Sequence, residues 1–435
     1  MSKRTEQRGW YFYDWANSTF STTVVTLLLG PYLTELAHAG ADAGGFIHPF
    51  GVSVDYRSYW SYLIALSVMT QVAVLPVLGA IADYSRRKKF LLGLFAYLGA
   101  AATIAMYRLE DGMWAAGGVL FLISNLVFGA SVVVYNSFLP EIAAPQERDA
   151  VSSKGWGIGY LGGGLLLALN LVLLRKAPDW GISQPLAIRI NLASAGLWWA
   201  LFTIIPLRTL RNRIPAARPP AGRHIVVAGF RQILSTLKGL PHYPQTLVFL
   251  LAYLVYNDAI QAVITLASQF GSEELKMPMS QLAMAILMIQ FVAFAGSILF
   301  NYIARAVGAK RAVMIALVVW AGIIYAMYAL VHGGTGFFIL GAVAAVVLGG
   351  SQALSRSLFS QMIPKGQEAE FFSIYEVSDK GTSWLAPLLF GLSLQWTRSF
   401  RAASLSLLFF FVVGFGILAR VNVRQGAREA GNELP

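Results

Sequence analysis

The feature that most constrains this chain is a series of apolar runs, each about 18–26 residues long, recurring from one end to the other. A helix rises 1.5 Å per residue, so such runs span a hydrocarbon core about 30 Å thick. Lipid satisfies no backbone polar group, whereas a helix satisfies its own, so each run is expected to cross as a helix. Only 12% of the 435 residues are charged, against about 25% in soluble domains, and 57% are hydrophobic. That composition excludes a disordered chain. The expected fold class is an all-α membrane protein with roughly twelve transmembrane helices.

The spans read as 11–36, 59–81, 90–107, 114–139, 156–174 and 189–208, then 246–269, 281–303, 312–332, 337–362, 369–395 and 401–421. Residues 209–245 separate the two sets and carry six basic residues with Pro215, Pro219 and Pro220. The expected organisation is a six-helix bundle over 1–208, a cytoplasmic linker over 209–245 and a second six-helix bundle over 246–435. Met1–Arg8 reads as a short basic tail. No apolar core with a small-residue cleavage site follows it, so the first run is expected to remain in the mature chain.

Lysine and arginine set the orientation. With the N-terminus inside, 23 basic residues fall on the cytoplasmic side and 8 on the other, with Arg356 and Lys380 inside spans. Both termini are therefore expected to be cytoplasmic, in the cell (inner) membrane. The net charge of +12 is read as this asymmetry and not as a nucleic-acid surface. There are no cysteines, which excludes disulfides, zinc thiolates and thiol catalysis. His38, His48, His224, His242 and His332 show no ligand spacing, so no metal and no cofactor is expected.

The two halves carry a weak repeat. Tyr13-Asp14-Trp15-Ala16 in the first span matches Tyr256-Asn257-Asp258-Ala259 in the seventh. Basic turns follow the second span (Asp83 to Lys89) and the eighth (Gly308 to Arg311), and polar segments leave the fourth and tenth. Gly157-Ile158-Gly159-Tyr160-Leu161-Gly162 fits a dinucleotide-binding fingerprint in letters alone, because it opens an apolar span and follows no strand. Gly155, Gly159 and Gly163 instead share a helix face that lets a neighbouring span approach closely.

Polar groups inside spans are expensive, so they point to a cavity or a partner. Asp14, Asn17 and Ser18 lie in the first span, and Asn125, Tyr135 and Asn136 in the fourth. Asn257, Asp258 and Gln261 lie in the seventh, and Ser351, Gln352 and Arg356 in the tenth. Asp14 also reads as a helix N-cap, and Asp258 as a member of a structural ion pair. Arg356, Glu376, Asp379 and Lys380 are expected to form a buried network, as a structural cluster or as a gate.

Gly79 to Lys88, with Asp83 followed by Arg86, Arg87 and Lys88, resembles the signature loop between the second and third spans of the major facilitator superfamily. In that loop the glycine permits close packing, and the aspartate can pair with an arginine or a helix N-terminus. Arg86 stands where the signature has a second glycine. Further phrases resemble one branch, the vacuolar amino-acid effluxer-like permeases and their bacterial relatives. They are Tyr13-Asp14-Trp15-Ala16-Asn17-Ser18, Tyr135 to Glu141, Tyr256-Asn257-Asp258, Gln352 to Phe359, Ile363-Pro364-Lys365 and Glu368 to Phe372.

The resemblance implies two six-helix bundles with spans one, four, seven and ten around a central pathway. It implies a secondary transporter of a small solute, with amino acids as a candidate substrate class and proton coupling as a candidate energy source. The expected partners are that solute and the bilayer, the expected state is a monomer, and no enzyme activity is expected. The rival readings are a channel, a nutrient sensor on a carrier fold and a membrane-embedded enzyme.

Overall fold

The computed structural model describes residues 2–56, 59–110, 112–213, 239–380, 385–397 and 399–432. Most of the expected linker, with Arg218, Arg223, Arg231, Lys238 and His224, lies outside the described residues, as do the side chains of Asp379 and Lys380.

The chain is helical almost throughout. Helix α1 covers Lys3–Thr19, a π-helical stretch covers Phe20–Leu28, and α2 covers Leu29–Ala39. Then come α3 (Tyr59–Tyr84), α4 (Lys88–Ala105), α5 (Trp114–Ser137), α6 (Arg148–Lys176) and α7 (Gln184–Thr209). The second half holds α8 (Pro244–Gln269), α9 (Met279–Val307), α10 (Ala309–Ala329) and α11 (Gly334–Gln361). It closes with α12 (Glu368–Lys380), α13 (Leu385–Thr397) and α14 (Leu407–Arg420). Among the described residues, eleven helical stretches are long and apolar enough to cross a membrane. The expected eleventh span, 369–395, is carried by α12 and α13, each 13 residues long. Among the described residues the strands are Phe46–Ile47 and Val54–Asp55, an antiparallel pair in the loop after α2.

The expected basic tail is instead the first turns of α1. The Ser2 side chain accepts the Thr5 amide at the helix start, and Glu6 is buried against Arg213, 3.0 Å away. Asp14 therefore sits well inside α1, and the N-cap reading of it is corrected: Ser2 holds that place. The π stretch follows from its run of hydroxyls. Ser21 and Thr22 both donate to the Ser18 carbonyl, and Thr26 donates to that of Ser21, competing with regular backbone pairing.

The chain forms two compact units. The first comprises residues 1–75, 85–135 and 158–214, the second 76–84, 136–157 and 215–435. The second unit thus takes in the end of α3 and the α5–α6 junction together with the later half of the chain. Small residues allow close helix approach in both. In the first, a Cβ at Gly159 would lie 2.8 Å from Ser18 Oγ, and one at Gly162 would lie 2.7 Å from the Trp15 carbonyl. In the second, α9 and α11 interlock through Gly296 against Val346 and Gly349 against Ala293, each too close for any side chain. Gly308, at φ 87°, makes the tight turn from α9 into α10 in a conformation only glycine adopts readily.

Candidate functional site

In the first unit the structure brings together two residues singled out from sequence. The Tyr135 hydroxyl donates to Asp14 Oδ2 at 2.7 Å. The Tyr135 ring stacks on Trp10, whose indole N–H donates to the Tyr135 carbonyl at 3.0 Å. A carboxylate inside a span is thereby hydrogen-bonded and walled by aromatics. Asn17 is buried close by on α1, and Ser18 faces the glycine stripe of α6. The second unit holds a contact of the same kind with its tyrosine on the other span: the Tyr256 hydroxyl of α8 lies 2.6 Å from Ser355 Oγ of α11. In each half, a tyrosine–polar contact joins the first span to the fourth.

Asn125 does not join the Asp14 pair. It donates to Ser67 Oγ at 2.7 Å, and Gln71 donates weakly to the same oxygen at 3.4 Å, both on α3. A further buried set links Asn170 to Thr23 at 3.0 Å, with Asn191 donating to the Asn170 carbonyl and Ser194 to its side chain. Interhelical hydrogen bonds of this kind contribute about 0.6 kcal/mol each in membranes. Sequence reading missed Ser67, Gln71, Asn170 and Asn191. Their signal was a neutral polar residue inside an apolar run, weaker than a charge but of the same kind.

The second unit centres on Arg356, which is 3% exposed. Its Nε donates to Ser152 Oγ at 2.9 Å, its Nη2 to the Ser152 carbonyl at 2.9 Å, and its Nη1 to Asn136 Oδ1 at 3.3 Å. The guanidinium lies over the Trp156 ring, 5.3 Å from the centroid, as a cation–π contact. Asn136 in turn donates to Glu376 Oε1 at 3.2 Å. Ser152 Oγ donates to the Ala353 carbonyl, so this hydroxyl ties α6 to α11 from both directions. Of the expected network of Arg356, Glu376, Asp379 and Lys380, the first two are joined through Asn136, and the side chains of the other two lie outside the described residues. Ser152 and Trp156 are members that sequence reading did not find.

Beside it stands the signature loop. Asp83 is buried, and its two carboxylate oxygens accept the amides of Ala369 at 2.9 Å and Glu370 at 2.7 Å. Those amides belong to the first turn of α12, so the aspartate meets a helix N-terminus. Gly79, one turn earlier, lets the Ala369 carbonyl approach: a Cβ there would lie 2.5 Å from that oxygen. Arg86 and Arg87 are exposed, while Lys88 is buried.

Asp258 is 2% exposed on α8, where Oδ2 accepts the Ala386 amide of α13 at 2.8 Å. Its other oxygen has no hydrogen-bond partner among the described residues. The structural ion pair expected there is absent among those residues, and a backbone amide takes its place. Asn257 is buried beside it, whereas Gln261 and Gln352 are half-buried. Among the described residues, no cluster of three His, Asp or Glu side chains could hold a metal ion.

The family model described as vacuole effluxer Atg22 like matches residues 2–431. Over its whole length the chain is 30% identical to YxiO of Bacillus subtilis (strain 168), an uncharacterized MFS-type transporter that it covers completely. It is 26% identical to autophagy-related protein 22 of Kluyveromyces lactis, across 97% of this chain and 94% of that one. Solved structures show the same fold at low identity. A bacterial homologue of the iron transporter ferroportin in the outward-facing state matches with a TM-score of 0.67 at 12% identity, covering 96% of this chain and 98% of that one. The proton:xylose symporter XylE matches with a TM-score of 0.69 at 10% identity, covering 96% and 94%.

Proposed function

The chain belongs to the Atg22-like vacuole effluxer family and is a multi-pass membrane transporter of the major facilitator fold; on that premise we propose that it is an alternating-access secondary carrier of amino acids, coupled to protons. Two clasps carry the reading: Arg356 on Ser152 and Asn136, and Asp83 on the first turn of α12. Both join segments early in the sequence to helices late in it, inside one compact unit. A polar cluster that is buried and hydrogen-bonded is rigid, yet its partners can part and be satisfied by water instead. That is the behaviour required of a gate. Arg356, Asn136, Asp83, Gly79 and the basic residues Arg86, Arg87 and Lys88 are assigned to it.

The solute pathway is assigned to Asp14, Asn17, Ser18, Asn125, Tyr135, Asn257, Asp258, Gln261 and Gln352. Asp14 beside Tyr135 offers a carboxylate to an ammonium group, the feature that favours amino acids. Asp258 is the proposed proton carrier, because a buried carboxylate with one oxygen unpartnered among the described residues can exchange a proton without breaking an ion pair seen there. Residues 1–208 and 246–435 are the proposed carrier halves. The 23-to-8 basic asymmetry supports a cytoplasmic linker and cytoplasmic termini, and the protein is proposed to be a monomer of the inner membrane.

The test is uptake of labelled amino acids into proteoliposomes, with and without an imposed pH gradient. The expected result is gradient-driven accumulation that Asp258→Asn abolishes while exchange persists. A variant that still accumulates solute removes Asp258 from coupling. Loss of exchange as well makes it a solute ligand or a structural partner of α13. No uptake of any amino acid by the parent overturns the substrate class.

A further inference from the structure

Four consecutive basic residues, Arg86 to Lys89, lead into helix α4. Within the first unit, a groove of about 640 Å³ runs along α4 beside the end of α7, lined by Arg87, Lys89, Phe90, Leu94, Tyr97 and Leu98. Its floor is Gly93, where a Cβ would lie 3.1 Å from Leu207 Cδ1. The mouth is fixed by Asn212, whose side-chain oxygen accepts the Lys89 amide at 2.9 Å.

The two ends of the groove differ in chemistry. At the mouth, Arg87 and Lys89 form no ion pair among the described residues, and neither does exposed Arg208, which lies within electrostatic reach of Tyr97. Positive charge at a helix start also opposes the helix dipole, so an anion there would offset both costs. Deeper in, Phe90 is 61% exposed, and Leu94, Tyr97 and Leu98 follow it on one face of α4. From Lys89 to Leu98 the helix climbs about 14 Å, close to one leaflet of a hydrocarbon core about 30 Å thick. Bases without an ion pair among the described residues, above a leaflet-deep apolar channel, match one occupant in both charge and length.

We propose that this groove binds one anionic phospholipid, its phosphate held by Arg87 and Lys89 and an acyl chain lying along Phe90, Leu94 and Leu98. Basic pockets between spans are suited to such headgroups. The proposal needs only that the chain spans the membrane, so it stands apart from the substrate assignment.

Native mass spectrometry of the full-length purified protein, incubated with equal amounts of phosphatidylglycerol and phosphatidylcholine, tests it. The expected result is a discrete phosphatidylglycerol adduct, several-fold more abundant than the phosphatidylcholine adduct and undiminished by added inorganic phosphate. Arg87→Gln with Lys89→Gln should remove that preference. Leu94→Glu, which keeps both bases but puts an acid in the channel, should do the same at an unchanged melting temperature. Arg175→Gln with Lys176→Gln, at the far end of α6, should leave it intact. Equal retention of the two lipids by the parent, an undiminished adduct in the groove variants, equal loss in the α6 control or displacement by inorganic phosphate would each overturn the proposal.

Discussion

The carboxylate of Asp83 accepts the amide of Glu370 at 2.7 Å, across 287 positions of sequence, and its other oxygen takes the adjoining Ala369 amide. Two free amides of the first turn of α12 are thus satisfied by one acid, with charge placed favourably against the helix dipole. Asp83→Asn removes the charge and turns a donor toward an amide that needs an acceptor. Loss of such a cap costs about 0.5–2 kcal/mol. A difference of one or two kcal/mol moves a two-state ratio by roughly 5- to 30-fold. The chain lacks cysteine, so a thiol placed at buried Ser360 reports opening directly. Labelling of Ser360→Cys should speed up several-fold when Asp83→Asn is added, at unchanged expression. An unchanged labelling rate would reduce the loop to a topology signal.

Arg356 gives a second, geometrically stricter prediction. Its planar fork reaches Ser152 twice and Asn136 once, and a lysine ammonium cannot reproduce that pattern. Arg356→Lys should slow solute exchange about tenfold, equivalent to about 1.4 kcal/mol, while the protein remains folded. Arg356→Ala strips the cluster of its centre and should lower thermal stability, since breaking a buried charge network costs about 3–5 kcal/mol. The comparison is made by exchange assay and by melting in detergent. Equal behaviour of the two variants would mean that charge, and not the fork, is what matters.

The span pattern was legible because run length and membrane thickness are both local quantities. Asp83 was legible as far as its two partner types, and the structure shows it on a helix N-terminus. The start of the first helix was not legible: Arg4 and Arg8 look like a tail until Glu6 is seen to meet Arg213 from the other end of the first half. Nor was Ser152, which sits 204 residues from Arg356 and resembles any serine near a helix start. Pairings across long sequence separation leave no periodicity to read.

Orientation can be tested independently of transport. With 23 basic residues on one side and 8 on the other, the linker is expected inside and the loop after α2 outside. In intact cells, an impermeant thiol reagent should label Ala43→Cys, which is exposed, and spare Ala217→Cys. The reverse labelling pattern would invert the whole topology, including the side on which the Asp83 and Arg356 clasps act.

The loop after α2 makes the last prediction, one of pH. Asp42 Oδ1 accepts the amides of Gly44 and Phe46, both at 2.9 Å, and Oδ2 lies 3.0 Å from His48 Nε2. The Phe46 amide, followed by the His48 side chain, holds the Asp42 carboxyl below its ordinary range. A folded-state pKa below the unfolded value of about 3.9 makes the ionised form the one that supports the loop. Its contribution is complete above the unfolded value and is lost as pH falls through the lower, folded one. A spin label at Ala43→Cys should therefore keep constant mobility from neutral pH down to about pH 5, and loosen only below about 4. Adding Asp42→Ala should make the label mobile at neutral pH and flatten the acid response. If mobility instead rises well above about pH 5, the Asp42 carboxylate does not control the loop.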